Sequence, residues 1–341
     1  MSTVSSESIG RGQVAGLDFE QLYRQHKSLV DTYLLEFSKE TKPRSLYQPV
    51  RYVLGGGGKR IRSVLVLLSC EAVGGNAADA MHASAAIEIL HNFTLVHDDI
   101  MDHAASRRGR PTVHTKWDSN VAILVGDELL ALAYRALLKT QSPRIQEIAR
   151  VFTEGVVEVC EGQAYDKEFE LRSRISVDDY LLMIEKKTGR MVAVATEIGA
   201  LIGGAGEAEV DALKRYGELV GRAFQIQDDL LDVVGDEKQF GKTIGGDLVE
   251  GKKTYLLLEA LRRAKGKDRR QLKSLSKNGG VSRKQIKDFQ RIYRETGAVD
   301  AARRRIEEDI TAAKDVLEIL QAGRARAMLA WFADMLLHRQ F

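Results

Sequence analysis

From Asp18 onward, apolar residues recur at three- and four-residue intervals through almost the whole chain. That is the period of a helix with one buried face, not the two-residue alternation of a half-buried strand. Cut at its glycines, prolines and polar clusters, the pattern predicts helices over 18–40, 45–54, 60–73, 77–104, 117–140, 144–165, 176–202, 207–235 and 253–265. Further helices are expected over 268–277, 282–296, 299–322 and 324–339. The breaks fall at Gly55–Gly58, Gly74-Gly75-Asn76, Arg107–Pro111, Arg172–Ser176, Gly203–Gly206, Gly235–Gly251 and Asn278–Gly280. Val64-Leu65-Val66-Leu67-Leu68 has the composition of a strand, but it continues through Ser69-Cys70-Glu71-Ala72-Val73 between glycines, which makes it a buried helix. No alternating run with hairpin signals and no βαβ rhythm is present. The expectation is an all-α fold: a flexible tail over 1–16, then a single domain over 17–341.

Composition is compatible with that picture. Forty-four per cent of the residues are apolar, enough for a sizeable core, and only four prolines interrupt 341 positions. Cys70 and Cys160 both sit in apolar helical contexts without zinc or redox spacing, so both are expected as buried thiols in a reducing compartment. A net charge of +3 does not call for a nucleic-acid partner, and no nucleic-acid motif is found. The first sixteen residues lack the apolar core of a signal peptide, and no run of about 18 apolar residues occurs, so no membrane span is expected and a cytoplasmic location follows.

Two acidic pentapeptides change the picture most: Asp98-Asp99-Ile100-Met101-Asp102 and Asp228-Asp229-Leu230-Leu231-Asp232, 130 positions apart. On a helix, residues i and i+4 share a face, with i+1 at its margin. Either motif alone would fit a solvated acidic face. Both, however, are embedded in Leu, Ile, Val and Phe, where ionised carboxylates are expensive without cations. Neither carries a His or Cys among its acidic positions, so the expected partner is a hard, oxygen-seeking cation. Magnesium fits, since it takes one or two carboxylates and completes its shell with water and substrate phosphates.

Basic residues stand where phosphates would then be. Arg107-Arg108-Gly109-Arg110-Pro111 follows the first motif; Gly241-Lys242-Thr243, Asp247 and Gly251-Lys252-Lys253 follow the second. Gly57-Gly58-Lys59-Arg60-Ile61-Arg62 opens a helix after a glycine run, an anion-binding arrangement, with Lys59 and Arg62 on one face. It is not a Walker A loop: Arg60 replaces the required Ser or Thr and no strand precedes it. Arg303-Arg304-Arg305 is read as a solvated run. Carboxylates, magnesium and Arg/Lys groups in one cavity make a diphosphate site.

With these motifs in this order, the chain from about Gly56 to Lys253 resembles the trans-prenyltransferases, the all-α isoprenoid diphosphate synthases. The resemblance implies a helical bundle around a central cavity. It implies that Asp98, Asp99 and Asp102 with Asp228, Asp229 and Asp232 hold three magnesium ions on an allylic diphosphate. Lys59, Arg62, His91 and Arg108 would take isopentenyl diphosphate; Arg107, Lys187, Lys242 and Lys252 would contact the allylic diphosphate. Thr188 and Gln225 would set their oxygens beside the developing cation, and Gln163 and Asp166 would support the metal site. A homodimer is also implied.

The activity implied is a head-to-tail condensation in which the departing pyrophosphate serves as base. Rival classes fit less well. A terpene cyclase has a second metal motif of Asn/Ser/Glu type, a squalene-type synthase has DxxxD motifs, and a dinuclear carboxylate bundle needs Glu-x-x-His pairs. A catalytically silent regulatory subunit tends to lose one Asp motif, and both stand here. By resemblance, Phe93 and Thr94, five and four positions before the first motif, set the floor of the product tunnel. One aromatic there matches the geranylgeranyl (C20) class, with farnesyl (C15) as the alternative.

Overall fold

In the computed structural model, which describes residues 18–235 and 244–337 (backbone alone at 276–278), the predicted periodicity becomes helices. The tail over 1–16 and Lys242 lie outside the described residues. In chain order come α1 (Phe19–Phe37), α2 (Arg44–Leu54), α3 (Ile61–Ala72) and α4 (Met81–Met101). A hairpin of β1 (Ser106–Arg107) and β2 (Arg110–Pro111) leads to α5 (Val113–Lys116), α6 (Ser119–Leu137) and α7 (Ile145–Leu171). Next are α8 (Val177–Ile184), a π turn (Glu185–Gly189), α9 (Arg190–Gly203) and α10 (Glu207–Val234). The rest is α11 (Gly246–Glu250), α12 (Tyr255–Arg263), α13 (Gly266–Asn278), α14 (Ile286–Glu295), α15 (Ala298–Val316) and α16 (Arg324–Leu337). No helix among the described residues is long and apolar enough to cross a membrane.

Local chemistry fixes several starts. Asp18 caps α1 by accepting from Gln21 N at 3.0 Å, and Asp118 caps α6 by accepting from Val121 N at 2.8 Å. Ser176 and Asp179 form a reciprocal capping box on α8. At the centre lie α3, buried from Ser63 to Cys70, and α9, buried from Arg190 to Leu201. Helices apolar all round belong in the middle of a bundle. α3 packs on α9, α9 on α7 and α10, α4 on α6, and α10 on α15.

Five expectations change. The β hairpin was not foreseen: Arg108 (φ 52°) and Gly109 (φ 72°) form its two-residue turn with both φ positive, a job usually signalled by Asn-Gly. The helix predicted over 176–202 is interrupted by the π turn, and the expected break at 235–251 contains α11. The helix predicted to end at 165 runs on to Leu171, because no glycine or proline stops it. Cys160 is exposed rather than buried: it follows the core residue Val159 around α7 and borders a cavity, whereas Cys70 is buried with its thiol pushed up to about 12 by desolvation.

The start of α3 is held by a buried cation. Arg60, 4% exposed, occupies the left-handed region at φ 54°. Its Nε donates to Asp31 on α1 and its Nη1 to Glu88 on α4, each at 2.8 Å, while Nη2 donates to the Leu54 carbonyl ending α2 at 2.9 Å. Four helices therefore meet on one guanidinium between Lys59 and Arg62. Removing one partner of a buried pair leaves the other charge uncompensated, at about 3–5 kcal/mol. Arg60→Ala is expected to lower the unfolding free energy by that amount, read in urea as a lower midpoint with an unchanged m-value; a loss below about 1 kcal/mol would count against this account.

Candidate active site

α4, α7, the π turn and α10 enclose a cavity of about 540 Å³. Thr94 and Asp98, one turn apart on α4, face into it beside Phe93, and His91 and Arg62 close one side. Lys187 and Thr188 reach it from the π turn, Gln225 and Asp228 from α10, and Arg107 from the hairpin. The approach of α7 to the π turn depends on Gly162, where a Cβ would lie 2.3 Å from Lys187 N. A π turn carries one residue more than an α turn, and here that turn bears both predicted polar groups.

The six motif carboxylates divide by helical geometry. Asp98 and Asp228 face the cavity. Their neighbours at i+1 turn into protein. Asp99 accepts from Arg107 Nε and Nη2, both at 2.8 Å, so it orients that arginine. Asp229 accepts from the Tyr180 hydroxyl, from Gln225 Nε2 at 3.2 Å and from Tyr255 N at 3.2 Å. The residues at i+4 sit at the rim: Asp102 accepts from Lys167 Nζ at 2.8 Å. Asp232 accepts from Gly246 N at 3.1 Å and Asp247 N at 3.0 Å, the first backbone donors of α11.

Electrostatics follow the same division. Desolvation pushes Asp98 up to about 6, opposed by Lys187 and reinforced by Asp102. Desolvation likewise raises Asp229 to about 6 against its three hydrogen bonds, with Asp228 adding repulsion. Asp247 is pushed up to about 8 by burial and by Asp229 and Asp232. Burial works on Asp102 too, but Lys167 outweighs it and holds that carboxyl low. Of these raised carboxyls Asp98 lines the cavity, and there burial outweighs the cations beside it.

The residues present suit a hard divalent cation. Their donors are oxygens, and the Gln163 Oε1 on the cavity wall is buried with no hydrogen-bond partner. Among the described residues no three His, Cys, Asp or Glu side chains gather to hold a metal ion by themselves. A magnesium ion takes one or two carboxylates and completes its shell with water and phosphate oxygens.

Cationic and polar partners line up around the carboxylates. Lys187 Nζ lies 2.5 Å from Asp166 Oδ2, and Thr188 Oγ1 donates to Gln225 Oε1 at 3.1 Å, joining π turn to α10. His91 Nε2 is 3.3 Å from Arg62 Nη1; burial and the surrounding arginines hold His91 well below its ordinary value, so it stays neutral and accepts. Arg108 lies with Arg107 at a smaller pocket behind Asp99 and donates to the Gly57 carbonyl of the glycine run. Lys59, beside that run, is anchored through its own carbonyl by the Tyr23 hydroxyl. Lys252 sits at the rim between Glu250 at 2.8 Å and Asp247 at 3.8 Å. Sequence reasoning missed Lys167 and Tyr180. Lys167 stands one helical turn after Gln163, a usable signal; Tyr180 has none, because its contact to Asp229 spans 49 residues.

The model of the family described as polyprenyl synthetase matches residues 43–295. A short chain isoprenyl diphosphate synthase of Methanothermobacter thermautotrophicus is 40% identical over 95% of this chain and 99% of its own length. A geranylfarnesyl diphosphate synthase of Natronomonas pharaonis is 36% identical, over 94% of this chain and 98% of its own. The crystal structure of geranylgeranyl pyrophosphate synthetase from Pyrococcus horikoshii superposes with a TM-score of 0.90 at 37% identity, covering 95% of this chain and 100% of that one.

Asp98 supplies a test of the charge deficit. Its folded value, about 6, lies above the ordinary 3.8, so its contribution to stability is present at low pH and is lost as pH rises through about 6. Asp98→Asn removes that loss. The metal-free variant is expected to be more stable than the parent at neutral pH by on the order of 1–2 kcal/mol after solvent screening, seen as a higher unfolding temperature, and to match it near pH 4. Calorimetry at both pH values decides; equal stability at neutral pH would show that the cavity does not desolvate this carboxyl.

Proposed function

The chain belongs to the polyprenyl synthetase family, and on that premise we propose that it joins isopentenyl diphosphate head to tail to an allylic diphosphate, with geranylgeranyl diphosphate (C20) as its product. It is an isoprenyl diphosphate synthase, a trans-prenyltransferase. The observation that carries the reading is the meeting, in a single cavity, of Asp98 and Asp228, one from each Asp-rich motif, with Arg62, Arg107, Lys167 and Lys187 and an apolar recess.

The residues divide the work. Arg107, pre-oriented by Asp99, and Lys187, beside Asp166, hold the allylic diphosphate from two sides, with Lys252 at the rim. Asp98 and Asp228, with Asp102 and Asp232 at the rim and Asp229 behind, would hold magnesium. The bound ions supply charge neutralisation for the leaving diphosphate. As the carbon–oxygen bond breaks, negative charge grows on the diphosphate, and the fixed cations stabilise it more than they stabilise the substrate. Positive charge grows on the allylic carbon, where the oxygens of Thr188 and Gln225 are set by their mutual hydrogen bond. Lys59, Arg62 and Arg108 hold isopentenyl diphosphate, with neutral His91 supporting Arg62. The isopentenyl double bond attacks the cation, and the proton then lost goes to the departed pyrophosphate. No side chain has to serve as nucleophile.

Phe93 and Thr94 form the floor of the recess. A C15 floor of the doubly aromatic kind would need a ring where Thr94 stands, and Thr94 is small, its hydroxyl tied to the His91 carbonyl at 2.9 Å. The geranylfarnesyl relative makes one further unit the second reading. A cytoplasmic homodimer of one prenyltransferase domain over 17–341 completes the proposal. Ile123 and Leu124 on α6, 46% and 59% exposed, are available for burial in its interface.

The decisive experiment is pyrophosphate release from isopentenyl and allylic diphosphates, with chromatography of the dephosphorylated prenols. Release is expected with magnesium or manganese and should vanish with a chelator; Asp98→Ala and Asp228→Ala should each lower turnover by a factor of order 100 or more. Full turnover in metal-free buffer would sink the mechanism, and no release under any condition would favour a silent subunit.

Product length gives a second test. Phe93→Ala opens a cavity below the growing chain and is expected to move the main product from C20 to C25 and beyond. An unchanged distribution would place the floor elsewhere.

A further inference from the structure

Phe93 does not stand alone. Its ring meets that of His97, one turn later on α4, edge to face, with centroids 4.9 Å apart and planes at 64°. Both rings border the cavity. On its far side the imidazole is pressed against α6 at Gly126: a Cβ there would lie 2.0 Å from His97 Nε2 and 2.3 Å from Cδ2. Only glycine leaves the ring room. The same Nε2 is 3.3 Å from the Ile123 carbonyl and 3.9 Å from Asp127 Oδ1, both on α6. The ring is therefore seated on the backbone of α6 at Gly126, with the Asp127 carboxylate at its edge, and it braces Phe93 from behind.

We propose that His97, seated on Gly126, fixes the position of Phe93 and so sets product length: His97 and Gly126 are specificity-determining residues that act through the floor rather than on the reacting atoms. The inference rests on reading the cavity as the prenyl tunnel. A methyl group at Gly126 would evict the imidazole. The α6 side is closed, so the ring must move toward Phe93 and the cavity, shortening the space available to the chain. Deleting the imidazole does the opposite, since Phe93 loses its brace and can swing into the space left. The rival account is that Gly126 merely lets α4 and α6 pack closely. In that case the effect of Gly126→Ala would not depend on what stands at position 97.

The test is a set of variants scored by the ratio of prenol lengths, with the Michaelis constant of the allylic starter as a control. Gly126→Ala should raise the C15 to C20 ratio roughly tenfold or more, the scale of an overpacking clash. Gly126→Ala/His97→Ala should return to C20 or longer. His97→Ala alone should give longer or broader products with the starter constant within about threefold of the parent, a difference under 1 kcal/mol. On a Phe93→Ala background, His97→Ala should add nothing, because its action runs through that ring. A double variant that stays short, or His97→Ala products identical to the parent's, overturns the inference. The second result decides even if Gly126→Ala fails to fold. A parent protein without condensation activity would remove the functional reading and this inference together; active variants of unchanged product length overturn the inference alone.

Discussion

Six like charges held around one partly dry cavity are the constraint on which the rest of this structure depends. Carboxylates so placed repel one another and resist desolvation, and the fold answers position by position. Arg107 answers Asp99, Lys167 answers Asp102, a tyrosine hydroxyl and a backbone amide answer Asp229, and the first amides of α11 answer Asp232. At Asp98 burial outweighs the opposing charges of Lys187 and Arg107, and with Asp228 it faces the cavity, where a cation and a diphosphate would meet them. A site that is fully compensated before its ligand arrives has little to offer that ligand. Here the deficit is concentrated where binding can relieve it.

Holding that arrangement needs more chain than the site itself contains. Arg222 on α10 donates to both oxygens of Asp309 on α15, at 2.8 and 2.5 Å, and to Glu185 of the π turn at 2.7 Å. Tyr216, buried on the same helix, donates to the Leu329 carbonyl of α16 at 2.8 Å. Among the described residues, those after 266 contribute no side chain to the cavity lining, yet their helices fix the helix that carries the second Asp-rich motif. Their part is structural: they keep α10 and the π turn in register.

How much of this could be read from the residues alone depended on distance along the chain. Helices with a clear apolar stripe and a glycine or proline at each end, such as α2 and α10, were predicted to within a residue or two. Both acidic motifs and the glycine-led basic cluster were legible because their spacing is local. The hairpin was not, because an Arg-Gly turn lacks the usual composition, and the π turn was not, because no residue type marks it. The division of each motif into an inward Asp98 or Asp228 and a turned-away Asp99 or Asp229 follows from the helical angle. The donors that meet the latter, Tyr180 and Tyr255, come from other helices and leave no local trace. The exposure of Cys160 was missed for a related reason, since a cavity wall and a packed interior have the same composition.

The π turn has one more consequence. α8, the turn and α9 follow one another without a gap, so the segment is a helix carrying a single surplus residue, and that surplus lies between Glu185 and Gly189. Deleting one residue there would restore an ordinary ladder and leave the two flanks close to their present orientation, because the wider i→i+5 turn absorbs its surplus residue without turning the helix that follows. What would be lost is the bulge itself, and with it the direction of Lys187 and Thr188. In most helices an insertion is a fault to be expelled. In this one it aims two polar groups at the cavity, and the chain can change length in its loops far more readily than at this one position.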